Sequence, residues 1–471
     1  MKVLHIFPQF TPDLLSGSER YEYMLSRKLV ELGVEVQVLT TRARNAYPTA
    51  AFSSAWPNDH PAADSSVKGI RIRRFAATFD IGPRLGHALS RRMLRRWERE
   101  ERRAGAMVRG SRNLVDYYRR RARERPRFYD WMMLAARGPC SLGLLFHLVA
   151  TIREYDAVMV GFTPYALMAQ VVPIARMFRR PVVILPLFHP QDPYHHFATF
   201  YRCLARADAV LAQTPYSAAL LSRLAPGCTP IDLGAGVNLD ELADSRADGV
   251  RFRAKYGLGD KKIVLFVGRK EFHKRYDLAV EAIELIGDDR GVLVMIGRDI
   301  DGQPVSSPHA VCLGEVDHQD LIDAYDACDV FLLPSENESF GMVFLEAWAR
   351  RKPVIGNRAC GPVACLIDEG ENGYLCSTAT EIAGRIAELM ANPELARRLG
   401  RAGYEKVARR YTWDAIAQKV RDLYAELIAA KAHPESGAQR VPPCVPQPAP
   451  VSNPNVTMQA GAQANGESLK A

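Results

Sequence analysis

No apolar run in the chain reaches the ~18 residues that a membrane-spanning helix needs, which excludes such a helix. Cysteine is sparse and unpatterned: nine residues, an odd number, with no C-x-x-C pair. Cys360 and Cys365 lie close together, yet they read as small buried thiols more readily than as a disulfide or a metal pair. A reducing cytoplasm is the expected compartment. The amino end, "MKVLHIFPQF", has one lysine and a short apolar run broken by proline, so it reads as a first β-strand and not as a signal peptide.

What is present is the balance of a soluble globular protein, 48% hydrophobic and 24% charged. At 471 residues the chain is too long for one ordinary core and suggests two domains of roughly 200 residues each. The net charge of +9 is unevenly spread. Between Arg84 and Arg127 sixteen arginines face five acids, a local balance of +11, so the remainder carries −2.

The first half repeats a short β-branched run, a turn and an amphipathic stretch. Strands are expected at Val3–Phe7, Val34–Thr41, Gly69–Phe75, Ala157–Gly161, Val182–Phe188 and Ala209–Gln213, with helices such as Glu19–Leu32 and Tyr165–Phe178 between them. Such alternation predicts a parallel sheet with helices on both faces. The pattern breaks at "RAKYGLGDKK", Arg253 to Lys262, and restarts with strands Ile263–Val267, Val292–Ile296, Asp329–Leu333 and Val354–Asn357. The expected fold class is α/β with two Rossmann-like, doubly wound domains joined near residue 250 and a ligand cleft between them. The expected boundaries are 1–250, 251–412, a last helix over 413–432 and a tail from 433 to 471. That tail is rich in Pro, Ala, Gln and Ser and is expected to be disordered.

Chemistry concentrates in the second half. "VLFVGRKEFHKRYD" brings Arg269 and Lys274 to the carboxyl end of a strand, where two cations suit a diphosphate; a solvated basic loop is the plain alternative. Asp299 and Asp301 form a D-x-D, a spacing some nucleotide-sugar enzymes use for a divalent metal and one that chance also produces. "PSENESFGMVFLEAWARRKPV" sets Glu338 and Glu346 around a strand-to-helix turn, with the helix expected to begin near Phe340. Its free N–H groups and dipole would point into the cleft. Eight residues at 1.5 Å each put the carboxylates on the order of 12 Å apart. A hydrolase pair flanking one bond stands ~5–9.5 Å apart. The longer span suits two grips on one sugar nucleotide, although ordinary glutamates on a surface helix would look the same.

In combination, "GRKEFHK", "VDHQDLIDAYDACDVFLLPS" and "SENESFGMVFLEAWARRKPVI" strongly resemble the second domain of family-4 retaining glycosyltransferases, which have the GT-B fold. "FPQFTPDLLSGSERYEYMLSRKLVELGVEVQVLT" resembles that family's opening strand, glycine-rich loop, helix and second strand, and "VVILPLFHP" its strand leading to a cleft histidine, here His189. The resemblance spans about residues 1–80 and 150–430. It implies that Arg269 and Lys274 hold the donor diphosphate and stabilise charge as the sugar leaves. It implies that Glu346 takes the ribose hydroxyls, and that Glu338 orients the sugar with backbone around Ser339, Phe340 and Gly341. Gly17 and Ser18 would face the phosphates, Gly17 allowing close approach. Gly268 and Val316 complete the implied donor set, and His189 lies near the sugar as hydrogen-bond donor or packing element. Ser18 stands where the family usually has glycine, and Ala364 and Cys365 stand where it often has an acid.

The Arg84–Arg127 stretch resembles the family least. Leu85, Leu89, Met93 and Trp97 recur every four residues among arginines, a basic amphipathic pattern suited to an anionic membrane surface. A salt-bridged helix pair on the first domain, spanning about 84–137, and a nucleic-acid contact are the competing readings; no recognised nucleic-acid module accompanies it, so nucleic acid is not an expected partner. The expectation is thus a cytoplasmic, peripheral, metal-independent hexosyltransferase. It would use a UDP- or GDP-sugar co-substrate and no resident cofactor, with a glycan or lipid-linked acceptor. An epimerase or phosphorylase of the same fold, or a non-catalytic membrane- or RNA-binding scaffold, is the alternative.

Overall fold

The computed structural model describes residues 1–12, 17–43, 58–61, 64–77, 117, 120, 130, 139–161, 165–190, 195–243, 247–287 and 291–433. All but Tyr117 and Arg120 of the expected Arg84–Arg127 surface, all but His433 of the expected tail and most of the stretch 84–137 lie outside them.

Strands β1 (Lys2–Ile6), β2 (Glu35–Thr41), β3 (Ser65–Val67), β4 (Ile70–Phe75), β5 (Ala157–Gly161), β6 (Val182–Leu185), β7 (Ala209–Ala212) and β8 (Pro230–Asp232) form one sheet. Their order is β3-β4-β2-β1-β5-β6-β7-β8. All pairs are parallel except β3 with β4, so the sheet has an antiparallel edge that the alternating pattern did not foretell. The central strands are apolar on both faces, as "AVMVG" in β5 shows, because helices cover both sides.

The second sheet comprises β9 (Lys262–Val267), β10 (Gly291–Ile296), β11 (Ala310–Gly314), β12 (Val330–Leu333), β13 (Val354–Asn357) and β14 (Gly373–Cys376). It is parallel throughout, in the order β11-β10-β9-β12-β13-β14. Strand order reverses beside β1 in the first sheet and beside β9 in the second. Doubly wound sheets take ligands in the crevice at such switch points, beyond the strands' carboxyl ends. The loops after β1, β6, β9 and β12 therefore hold nearly every residue singled out above.

The sequence placed a break where the structure has a short helix, Gly249–Lys255, capped by the Asp248 side chain. It is tied to the second domain by Arg251, whose guanidinium grips the buried Asp323 at 2.6–2.8 Å. The last helix, Trp413–Ala432, crosses back onto the first domain. Its Tyr424 hydroxyl meets His5 Nε2 at 3.0 Å, while His5 Nδ1 meets Ser26 Oγ at 2.9 Å. Lys28 pairs with Asp414 at 2.9 Å, and Tyr21 packs edge-on against Trp413.

Helix α1 (Gly17–Glu31) buries Glu22 completely, with its carboxyl beside Gly161 of β5. Neither carboxyl oxygen has a hydrogen-bond partner among the described residues, and a Cβ on Gly161 would lie 3.5 Å from one of them. Burial first, and the neighbouring Glu19 second, push this carboxyl well above the usual range. The folded chain thus keeps a proton that the unfolded chain releases above about pH 4.3. Stability is full below that pH and is lost, by roughly 1.4 kcal/mol per unit, as pH rises toward the folded pKa. Glu22→Gln should therefore match the wild type near pH 4 and exceed it increasingly toward pH 8 in urea titrations.

Candidate functional site

The loop after β9 begins with Gly268, whose N–H bonds to Ile296 O at 2.9 Å. The facing Gly297 has φ 141°, and a Cβ there would stand 2.0 Å from Gly268 O, so only glycine lets these backbones touch. The loop turns through a short 3-10 helix, Phe272–Lys274, and enters helix Tyr276–Ile286 by way of Arg275 in the left-handed region at φ 51°. The loop after β12 fastens to it: Glu336 N–H and the Ser335 hydroxyl both donate to His273 O, at 2.9 and 3.3 Å. Arg275 also pairs with Glu336.

This zipper presents Glu338 to Lys274. The Nζ–Oε1 distance is 2.6 Å, and both side chains are largely buried. Burial alone would raise the Glu338 carboxyl. The Lys274 charge and hydrogen bond, helped by His189 and the Ser335 hydroxyl, outweigh it and hold the group below its ordinary value. A buried, ionised carboxylate results.

His189 follows β6 in the first domain and reaches the same electrostatic neighbourhood. Burial lowers it to about 4, with Glu338 opposing and Lys274, His273 and Arg269 reinforcing. It is thus neutral at pH 7 and offers a hydrogen bond instead of a charge. Its ring packs against His195 with centroids 5.3 Å apart, and its backbone N–H donates to His195 Nδ1 at 3.3 Å.

Helix Met342–Ala349 starts two residues later than expected, because Gly341 at φ 95° breaks the chain into it and no side chain caps it. Phe340 anchors this corner, buried against Tyr411 with ring centroids 5.6 Å apart; Ser339 beside it is half-buried. Glu346 lies on that helix, buried, and accepts from the Tyr325 hydroxyl at 2.7 Å. Its other oxygen is 3.6 Å from Arg20 of α1, and Arg20 also reaches Glu241 at 3.4 Å.

Several expected residues are engaged differently from the sequence reading. Arg269 shares the surroundings of His189 with Lys274, but it is exposed and paired with Glu271 at 3.3 Å, while Lys274 is committed to Glu338. Gly17 opens α1 with open space where a Cβ would stand, and Ser18 beside it is half-buried. Val316 packs against the apolar core just beyond β11. The D-x-D is occupied by protein. Lys270 Nζ lies 2.8 Å from both Asp299 and Asp301, and Tyr276 donates to Asp301 at 3.1 Å. Among the described residues no group of three or more His, Cys, Asp or Glu is arranged to hold a metal ion. Both Cys360 and Cys365 are free; Cys360 is buried as expected, but Cys365 is exposed because its helix, Gly361–Leu366, turns it outward.

Sequence reasoning passed over Arg20, Tyr325 and Lys270. Arg20 carried one signal: a cation in the first turn of a helix opposes the dipole and calls for a specific anionic partner. Tyr325 and Lys270 depend on tertiary contacts and left none.

Comparison with known proteins places this geometry. Solved structures align over nearly the whole chain: sucrose-phosphate synthase from Thermosynechococcus elongatus has a TM-score of 0.65 at 19% identity, covering 91% of this chain and 100% of that one. Anabaena HepE in complex with UDP has a TM-score of 0.63 at 16% identity, covering 90% and 100%. The fold is GT-B. Residues 250–406 match the model of the family "Glycosyl transferases group 1". An uncharacterized glycosyltransferase of Methanocaldococcus jannaschii is 32% identical over 204 residues, 40% of this chain and 56% of that protein. The D-inositol 3-phosphate glycosyltransferase of Saccharomonospora viridis is 31% identical over 255 residues, 48% of this chain and 57% of that one. The chain thus spans little more than half the length of these relatives. Within the GT-B frame, the Lys274–Glu338 pair and the Glu346 carboxylate belong to the second domain, and His189 and Arg20 to the first.

Two outcomes follow for variants. In the wild type the lowered Glu338 pKa gives stability that is present above about pH 4.3 and lost as pH falls further. Lys274→Met leaves burial, the largest influence, opposed only by His189 and the Ser335 hydroxyl, so stability should instead fall as pH rises from 4 to 8, read from thermal midpoints. Arg20→Met removes a partner from a buried carboxylate and should cost about 1–3 kcal/mol. A double-mutant cycle with Glu346→Gln in urea should return a coupling above ~0.5 kcal/mol.

Proposed function

We propose that the protein is a retaining glycosyltransferase of family 4. In this reading it moves a hexose from a nucleotide-diphosphate sugar to a lipid-linked or polysaccharide acceptor at the cytoplasmic membrane face. The observation that carries this reading is the buried Lys274–Glu338 pair, 2.6 Å apart and facing a neutral His189 across the crevice of a GT-B fold. HepE, a structural neighbour, is solved with UDP and with UDP-glucose, which supports a nucleotide-sugar donor here.

In this reading Glu346, fixed by Tyr325, accepts from the ribose hydroxyls. The uncapped start of helix Met342–Ala349, behind Gly341, offers N–H groups and the positive end of its dipole to the donor. An ammonium has three N–H donors, so Lys274 can hold Glu338 and still contact a phosphate oxygen. Arg269, exposed at the rim, swings onto the second phosphate. As the bond from the anomeric carbon to the diphosphate breaks, negative charge grows on the leaving oxygen, and these cations stabilise it. The acceptor oxygen bonds to that carbon on the same face, and its proton passes to the departing phosphate oxygen. Glu338 and His189 orient the sugar hydroxyls. Catalysis needs neither a metal nor a resident cofactor, and Lys270 supplies the positive charge at Asp299 and Asp301. The Arg84–Arg127 segment, with its balance of +11, draws the protein to anionic lipid.

A thermal-shift panel of UDP, GDP, UDP-glucose and GDP-mannose tests the donor site. A ligand at 100 times its Kd adds about 2.7 kcal/mol to the native state, so at least one should raise the midpoint, and Glu346→Gln should abolish the rise. No shift with any of them would overturn the reading. With a cell-membrane fraction as acceptor source, Glu338→Gln should cut nucleotide diphosphate release at least ~100-fold, the loss expected when an orienting group in a preorganised site is removed.

A further inference from the structure

Helix Leu142–Thr151, "LGLLFHLVAT", contains no charged residue. It holds the first sheet with one stripe: Leu144 and Leu148, followed by Ile152 just beyond, are wholly buried against β2, β4 and β5 neighbours. The opposite stripe should then be polar, since an amphipathic surface helix turns charge to water. It is not. Leu142, Phe146 and Val149 fall within one narrow arc and are 40%, 72% and 41% exposed. A helix that is apolar all round is normally enclosed by protein or lipid, and the described residues enclose this one on one side only.

Its surroundings supply the charge that an apolar stripe alone would not. Arg153 continues the arc beyond the last turn and stacks its guanidinium over the Phe178 ring, 4.7 Å from the centroid. Arg180 donates to Arg153 O at 2.7 Å, and Arg176 and Arg179 lie beside them at the end of helix Ala166–Met177. The nearby acids among the described residues are already paired, Glu154 with Lys2 at 3.3 Å and Asp64 with Arg73. In sequence, the same helix follows shortly after the +11 stretch that ends at Arg127.

We propose that the outward face of helix Leu142–Thr151 is an apolar wedge that seats the first domain on an anionic lipid surface. The arginines at its end meet the lipid headgroups. At ten residues the helix cannot span a bilayer, so it lies in the interfacial plane with Phe146 deepest. A second copy of the chain fits this face poorly, because self-pairing would bring the arginines of two copies together. The docking surface rests on the membrane-face part of the reading above and is independent of its donor chemistry.

Flotation of the full chain with vesicles of phosphatidylcholine containing 30% phosphatidylglycerol, against pure phosphatidylcholine, tests it. The wild type should float only with the anionic vesicles. Phe146→Glu with Val149→Glu should lower the bound fraction at least tenfold, and Phe146→Leu should restore most of it. An unchanged thermal midpoint would show that the paired variant is folded, and an unchanged UDP-induced shift would show the donor site intact. Equal flotation of wild type and the paired variant would overturn the proposal. So would absence of wild-type binding, or a wild-type dimer that the variant abolishes.

Discussion

A carboxylate removed from water keeps its charge only if a cation goes with it, and Glu338 is buried with Lys274 at 2.6 Å. Much of the second domain's loop architecture serves that contact. The Gly268–Gly297 approach sets where the loop after β9 leaves its strand, and the left-handed Arg275 ends its turn. Hydrogen bonds from Ser335 and Glu336 to His273 O lock the loop after β12 against it. With either loop displaced, a buried charge would stand alone, at a cost of several kcal/mol. The pair is thus the reason the two loops share one geometry and, in the proposed reading, the chemical centre as well.

The same logic joins the domains. Glu346 belongs to the second domain, yet one of its oxygens faces Arg20 of the first. A guanidinium presents neighbouring N–H donors to a carboxylate in much the way a vicinal diol presents its hydroxyls. The ribose carboxylate of the proposed reading is therefore already oriented before any nucleotide arrives. Orientation set in advance is what makes an electrostatic site effective.

The fold was readable because its strands are short β-branched runs buried on both faces, a pattern that parallel sheets require. The edges were not. β3 and β8 are three residues each, and "SSV" carries no apolar alternation to mark it. At the site, residue types at strand ends were visible, so Glu338, Lys274 and Glu346 stood out. Which cation meets which anion was not visible, because the tertiary path of the loop decides it: Arg269 precedes the 3-10 turn and pairs with Glu271, and Lys274 closes that turn and meets Glu338. Lys270 shows the same limit. It lies between two candidates in sequence and is the cation that engages the D-x-D, with its ammonium 4.8 Å from the Tyr276 ring centroid.

The return of helix Trp413–Ala432 bears on the order in which the molecule is made. His5 sits in the first strand, and its buried ring nitrogen finds its partner 419 residues later in Tyr424. A nascent chain emerging from the ribosome carries that vacancy through nearly the whole of translation. The opening half of the protein is therefore completed only by that late helix. It is the last element to be synthesised among the described residues, and a fragment cut at residue 250 would bare the face of Tyr21 that Trp413 covers.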